Sequence, residues 1–145
     1  MSVVICTHNG AARLPATLAH LAAQKAIDHA QWEVVVVDNA SADGSAQVAR
    51  DCWPPAAAVS LRVIEEPRLG LSRARLRGLA EARYEIVSFV DDDNWLADDW
   101  VAIAAEVLSA NPDLGAIGSL SYPVCETDPP EWFVRFQRRF FAILT

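Results

Sequence analysis

Apolar residues along this chain fall in short, β-branched runs separated by segments of helical spacing. The four clearest runs are Val3 to Cys6, Glu33 to Val37, Leu61 to Ile64 and Glu85 to Val90. Their length and branching suit strands of a parallel sheet buried on both faces. A fifth, weaker run covers Leu114 to Gly118. Leu14, Leu18 and Leu21 form a helical stripe after the first run, and Ser45 to Cys52 predicts a short helix after the second. Leu71 to Ala82 carries Leu71, Ala74, Leu79 and Ala82 at helical spacing. Asp98 to Ser109 puts Val101, Ala104, Ala105 and Leu108 on one face, and Asn111-Pro112 stops that helix.

Alternation of strand and helix predicts an α/β fold, a Rossmann-like, mostly parallel sheet flanked by helices with right-handed crossovers. Residues 1–122 form the α/β domain in this reading, and residues 123–145 form a loop and an aromatic-rich tail. Trp132, Phe133, Phe136, Phe140 and Phe141 crowd that tail. Such a surface normally packs against something, so the reading is of a domain cut short at its C-terminal side, or of self-association through the tail.

Ligands of open α/β sheets bind beyond the carboxyl ends of the strands. The first run ends in Thr7-His8-Asn9-Gly10 and the second in Asp38-Asn39-Ala40-Ser41-Ala42-Asp43-Gly44-Ser45. The third is followed by Glu65 to Arg75, and the fourth by Asp91-Asp92-Asp93-Asn94. In parallel strands all four polar ends meet at one edge. Three adjacent carboxylates repel one another unless solvent or a cation offsets them. Asp91 and Asp93 lie two residues apart and face one way in extended chain. Magnesium or manganese is commonly held by one or two carboxylates plus substrate phosphates. The alternative is a helix start, with Asp93 or Asn94 as cap and Asp98 and Asp99 at the positive helix end.

The other ends offer matching chemistry. Thr7 and Asn9 can meet a base or ribose, Asp38 can accept from a base N–H or ribose hydroxyls, and the Arg75 fork suits phosphate. Asp43 reads as an Asx-turn or cap for the helix at Ser45. Neither G-x-x-x-x-G-K-S/T nor G-x-G-x-x-G occurs, which argues against ATPase and dinucleotide-binding classes.

Composition narrows the classes further. The chain has 145 residues, 52% of them apolar, with a net charge of −7. Its pI near 4.8 argues against a nucleic-acid partner. Cys6, Cys52 and Cys125 show no zinc or redox spacing and read as small buried residues of a reduced, cytoplasmic protein. No stretch reaches the length of a membrane span, and strand-like sequence from Ser2 leaves no visible signal peptide. His20 and His29 read as surface residues, and His8 as a loop residue beside the site. Arg73 and Arg77 read as solvated or paired with Glu81. Arg135, Arg138 and Arg139 among the tail aromatics leave peripheral association with the inner membrane face open.

Four blocks together resemble family 2 glycosyltransferases of the GT-A fold. They are Ser-Val-Val-Ile-Cys-Thr-His-Asn-Gly, Val-Val-Asp-Asn-Ala-Ser-Ala-Asp-Gly-Ser, Gly-Leu-Ser-Arg-Ala-Arg and Phe-Val-Asp-Asp-Asp-Asn-Trp, in order within about residues 2 to 118. The resemblance implies a nucleoside diphosphate sugar donor and transfer to an acceptor hydroxyl on a glycan, lipid-linked or other molecule, with inversion. It implies that Thr7, Asn9 and Asp38 contact the nucleoside and that Arg75 sits near base or phosphates. Asp91, with Asp92 beside it, would lie near the ribose or sugar, and Asp93, with Asp91, would bind manganese or magnesium. The chain departs from the pattern at Cys6 (usually proline), His8 (usually tyrosine) and Leu76 (usually asparagine). The family places its general base well downstream, and the short stretch after Asp93 leaves Asp128 and Glu131 as the candidates, beside Glu126. Two rival readings are a nucleotidyltransferase and a nucleotide-binding regulatory module without turnover. The first would need a basic, glycine-rich loop after the first strand, which Thr7-His8-Asn9-Gly10 is not.

Overall fold

The computed structural model describes residues 1–25, 31–119, 121–125, 127–133 and 135. It divides into two compact units, Met1–Ala110 and Asn111–Thr145. The first unit holds β1 (Ser2–Thr7), α1 (Leu14–Ala22), β2 (Glu33–Asp38), α2 (Ser45–Cys52), β3 (Leu61–Glu65), α3 (Leu71–Glu81), β4 (Val87–Asp91) and α4 (Trp100–Ala110). The strands form one sheet in the order β3-β2-β1-β4, every pair parallel. This is the α/β architecture expected from the alternating runs.

The two central strands supply the core. Every residue of β2 is buried, as is every residue of β1 except half-buried Cys6. Alternation sends Val3, Ile5, Val34 and Val36 to one face, where they pack with Leu14, Leu18 and Leu21 of α1, Ala49 of α2 and Val101 and Ala104 of α4. Val4, Val35 and Val37 face the other way, onto Ala74 of α3. That second interface is close. A Cβ on Gly78 would run into the Val4 side chain and come within 3.3 Å of Val37 Cγ2. The glycine lets α3 approach the sheet.

Several local expectations change. Residues 114–118 carry no strand, and Leu114 and Ile117 remain exposed rather than drawn into a sheet. The helix α4 begins at Trp100 rather than Asp98, and the carbonyls of Ala97 and Asp98 accept from Gln24 Nε2 and the Lys25 N–H. Asp93 and Asn94 therefore cap no helix; the Asn94 N–H bonds to the Asp91 carbonyl (3.2 Å) and closes a turn. Cys52 and Cys125 are exposed, not buried, since both lie outside the central strands. His20 is half-buried, stacked on Trp95 with ring centroids 5.9 Å apart. Arg77 pairs with Glu81 at 3.0 Å, as its spacing suggests. His29, Arg138, Arg139 and most of the tail lie outside the described residues; Trp132 and Phe133 meet edge to face at 6.1 Å. Among the described residues no helix is long and apolar enough to cross a membrane.

At the amino ends of the strands, Glu33 is a charged anchor with a 2% exposed side chain. Its Oε1 accepts from Ser2 Oγ (2.9 Å) and the Arg83 N–H (2.9 Å), and its Oε2 from Arg62 Nη1 (3.1 Å). Burial pushes its pKa up, but hydrogen bonds from Arg83, Arg62 and Ser2 outweigh burial and hold it below the ordinary value. The folded pKa is thus depressed. Its stabilisation is complete above the unfolded value of about 4.3 and is lost as pH falls through the folded value. Glu33→Gln should cost about 2 kcal/mol at neutral pH, with a smaller cost at pH 3, as read from urea midpoints of both proteins. Gly78→Ala should destabilise by ~1–3 kcal/mol despite alanine's helix preference, because the new methyl overfills the α3 interface. Thermal unfolding of the two chains side by side measures it.

Candidate functional site

Register brings the polar strand ends together. Thr7 pairs with Asp38, Asp38 with Glu65, and Cys6 with Asp91. The loops beyond are tied to one another by side chains that replace the ended ladder. The Asn9 N–H donates to Ser41 Oγ (3.0 Å), Asn9 Oδ1 accepts from the Ala42 N–H (2.9 Å), and the Gly10 N–H donates to Ser45 Oγ (2.9 Å). Asp43 accepts from the Ala11 and Ser45 N–H groups (both 3.0 Å), the Asx-turn of the two alternatives, while Gly44 rather than Asp43 stands at the N-cap of α2. The Ser45 hydroxyl, then these N–H bonds, hold its carboxyl below the ordinary pKa. Asn9 (φ 49°) and Ala40 (φ 57°) are the non-glycine residues in left-handed backbone among those described. Ala40 in particular adopts this conformation at a cost, a pattern that clusters at ligand sites.

Asn39, 3% exposed, is the junction of three strand ends. Its N–H donates to the Thr7 carbonyl (2.8 Å). Its Nδ2 donates to the carbonyls of Glu66 (3.0 Å) and Arg68 (2.9 Å), while Oδ1 accepts from the Gly70 N–H (2.8 Å). The loop entering α3 is thereby hung from β2. Glu66 completes the loop by accepting from the Arg68 N–H (2.9 Å), which with the Arg68 guanidinium lowers its pKa. A shallow depression opens between this loop and β1, lined by Cys6, Thr7, His8, Leu69, Gly70 and Leu71. His8 is oriented by a 2.8 Å bond from Nδ1 to the Asn39 carbonyl. Burial, with Asp91 adding and Arg75 opposing, pushes the Cys6 thiol up to about 11, so it is no thiolate nucleophile at neutral pH.

The aspartate triplet splits in two. Asp91 and Asp93 are exposed, whereas Asp92 is 9% exposed and turned inward. Both Asp92 oxygens are engaged. Oδ1 accepts from Arg13 Nε (2.9 Å), and Oδ2 from Arg13 Nη2 (2.9 Å) and Thr7 Oγ1 (2.5 Å). Gly10 permits this: a Cβ there would collide with Thr7 Oγ1 and Asp92 Oδ2. Thr7 and Asp92, both expected to face a ligand, thus bind each other across the β1 and β4 ends. Arg75 reaches across the open side of the sheet, its guanidinium 5.6 Å from the Phe89 ring centre and 3.8 Å from Asp91 Oδ1. Asp38 is nearly buried, with Oδ1 accepting weakly from the Ser41 N–H (3.3 Å).

Among the described residues no three His, Cys, Asp or Glu side chains converge enough to hold a metal ion alone. The exposed pair Asp91 and Asp93 offers hard oxygen donors at one turn. That donor set fits an ion that takes its remaining ligands from phosphate and water. Asp128 and Glu131 belong to the second unit, where both are exposed. Asn39 and Arg13 went unremarked in the sequence. Asn39 stands in a polar run where any residue could cap a turn, and Arg13 precedes a helix like any solvated arginine. Only the crossing of β4 beside β1 gives Arg13 its partner.

Comparison with known proteins accords with this geometry. The model of the family described as "Glycosyl transferase family 2" matches residues 2–144. Chondroitin synthase of Escherichia coli is 29% identical over 124 residues, 84% of this chain and 17% of that protein. The crystal structure of S. aureus TarS 1-349 in complex with UDP aligns with a TM-score of 0.65 and 28% identity, over 77% of this chain and 32% of that one. The mannosyltransferase PcManGT from Pyrobaculum calidifontis, in complex with GDP-Man and Mn2+, aligns with a TM-score of 0.65 and 32% identity, over 74% of this chain and 32% of that one. The chain therefore spans only about a third of these solved chains and less than a fifth of the synthase. With the family match running nearly end to end, and the fold shared with GT-A enzymes, this chain belongs to glycosyl transferase family 2.

Proposed function

We propose that residues 1–122 form the donor-binding part of a glycosyltransferase that takes a sugar from a nucleoside diphosphate sugar. The observation that carries this reading is the gathering of four polar strand ends at one edge of the sheet, with a shallow depression between the β1 end, Asn39 and the loop into α3. Asn9 and Asp38 face the nucleoside in this proposal, and Arg75 the diphosphate. Thr7 and Asp92 shape the floor from beneath. Asp91 and Asp93 hold manganese or magnesium, which when bound offsets negative charge on the departing diphosphate.

Arg75 and Asp91 pair at 3.8 Å across exposed surface, where such a contact is weak. Both ends of the pair suit a metal diphosphate. Arg75 would be free to meet a phosphate oxygen, and Asp91 to help hold the cation. In the transfer step the acceptor oxygen attacks the anomeric carbon opposite the diphosphate. The new carbon–oxygen bond forms as the bond to diphosphate breaks, and diphosphate leaves with the electron pair. A carboxylate base takes the acceptor proton, and the configuration inverts. Asp128 and Glu131 are the proposed candidates for that base, and a glycan or lipid-linked hydroxyl is the proposed acceptor. We place the protein in the cytoplasm or at the inner membrane face.

Two measurements test the donor site. Nucleoside diphosphate should bind weakly with chelator and more tightly with manganese, and Asp93→Ala should remove most of that gain. Equal calorimetric affinity in both conditions would end the metal assignment. Asp38→Asn should weaken the cognate nucleotide by ~1–3 kcal/mol, the cost of a mismatched polar contact, without loss of fold. Unchanged affinity for UDP, GDP and TDP would remove Asp38 from the site.

A further inference from the structure

Arg13, Thr17, His20 and Gln24 follow one another at spacings of four, three and four, so they form one stripe along α1 and its flanks. Every member of the stripe reaches the segment that follows β4. Arg13 grips the Asp92 carboxylate through two bonds of 2.9 Å. Thr17 Oγ1 donates to the Asp92 carbonyl (2.9 Å). His20 Nδ1 donates to the Leu96 carbonyl (3.0 Å), while its ring stacks on Trp95 at an interplanar angle of 9°. Gln24 Nε2 donates to the Ala97 carbonyl (2.7 Å), and its Oε1 accepts from the Val101 N–H (2.9 Å).

The stripe leaves a definite arrangement at the turn. Asp92 is held at both its side chain and its carbonyl, so its neighbours on either side are set by the chain. The Asn94 N–H to Asp91 carbonyl bond closes the turn around it. Asp91 and Asp93 stay exposed, and Arg13 neutralises the carboxylate between them. Two negative charges rather than three then face solvent, in a fixed relation to the end of β1.

We propose that this polar stripe of α1 is the positioning element of the site: Arg13, Thr17, His20 and Gln24 hold 92–98 so that, of the three aspartates, only Asp91 and Asp93 meet the cation. The inference rests on the donor-site reading above. Its residues touch no ligand; they act through the turn, as outer-shell groups orient metal ligands. Such a role differs from general stabilisation. Loss of a stripe residue should weaken the metal-dependent part of nucleotide binding and leave the metal-independent part alone.

Calorimetry of UDP and of GDP on the full chain, each with manganese and with chelator, tests it. Arg13→Gln and Gln24→Ala should reduce the manganese-dependent gain by about ten- to hundredfold, with chelator-state affinity unchanged. Arg13→Lys should recover part of it. Hydrogen exchange should speed up across 92–98 while β1 and β2 keep their protection. Gln24→Ala, farthest from Asp92, serves if Arg13→Gln fails to fold. A folded stripe variant with the wild-type manganese gain would overturn the proposal, as would equal losses with and without metal. If the unaltered chain shows no manganese gain for either nucleotide, the metal assignment of the donor site itself fails and takes this inference with it.

Discussion

Parallel pairing of β1 with both β2 and β4 is the constraint on which the rest of this molecule depends. It sets the carboxyl ends of those strands, and of β3 beyond, at one edge of the sheet. Thr7, Asp38 and Asp91 are far apart in sequence, yet register alone brings them to adjacent ladder positions. The buried valines of β2 and the aliphatic residues of β1 make that register costly to slip, because a shift of one residue would turn apolar side chains outward. The hydrophobic core and the polar site are two results of one alignment.

Polar groups at each edge of the sheet finish what the strands begin. At the amino edge, Glu33 gathers Ser2, Arg62 and the Arg83 amide. At the carboxyl edge, Asn39 and Asp92 do comparable work, each through three side-chain hydrogen bonds. These are buried or nearly buried groups with satisfied partners, and among the described residues no buried side-chain nitrogen or oxygen lacks a hydrogen bond. Closed networks of this kind hold loops in defined shapes. The left-handed backbone at Asn9 and Ala40 persists because these networks surround it.

Much of the fold was legible because its cause is local. Runs such as Glu33-Val34-Val35-Val36-Val37 are too apolar and β-branched for anything but a buried strand, and alternation with helices leaves few topologies. The run at 114–118 misled for the same reason: apolar content alone cannot say whether a neighbour exists to pair with. Exposed candidates such as Asp91, Asp93 and Arg75 were visible as charges at strand ends. The inward turn of Asp92 was not, since three identical residues in a row carry no sign of which faces the core. That choice is made by Arg13 and Thr17, some eighty positions earlier, and only contact across the sheet edge shows it. Asn39 was hidden likewise, because its carbonyl and amide partners are backbone groups that no side-chain pattern announces.

The α1 stripe also bears on where this chain can tolerate a change of length. A residue inserted between Arg13 and Gln24 would rotate everything after it by about 100° around the helix axis. One end of the stripe would then face away from the loop it holds, whatever the residue's chemistry. The segment 53–60 between α2 and β3 is under no such phase constraint; most of it is exposed and irregular. Insertions and deletions among related sequences should therefore collect there and avoid α1, although the helix carries no ligand contact of its own.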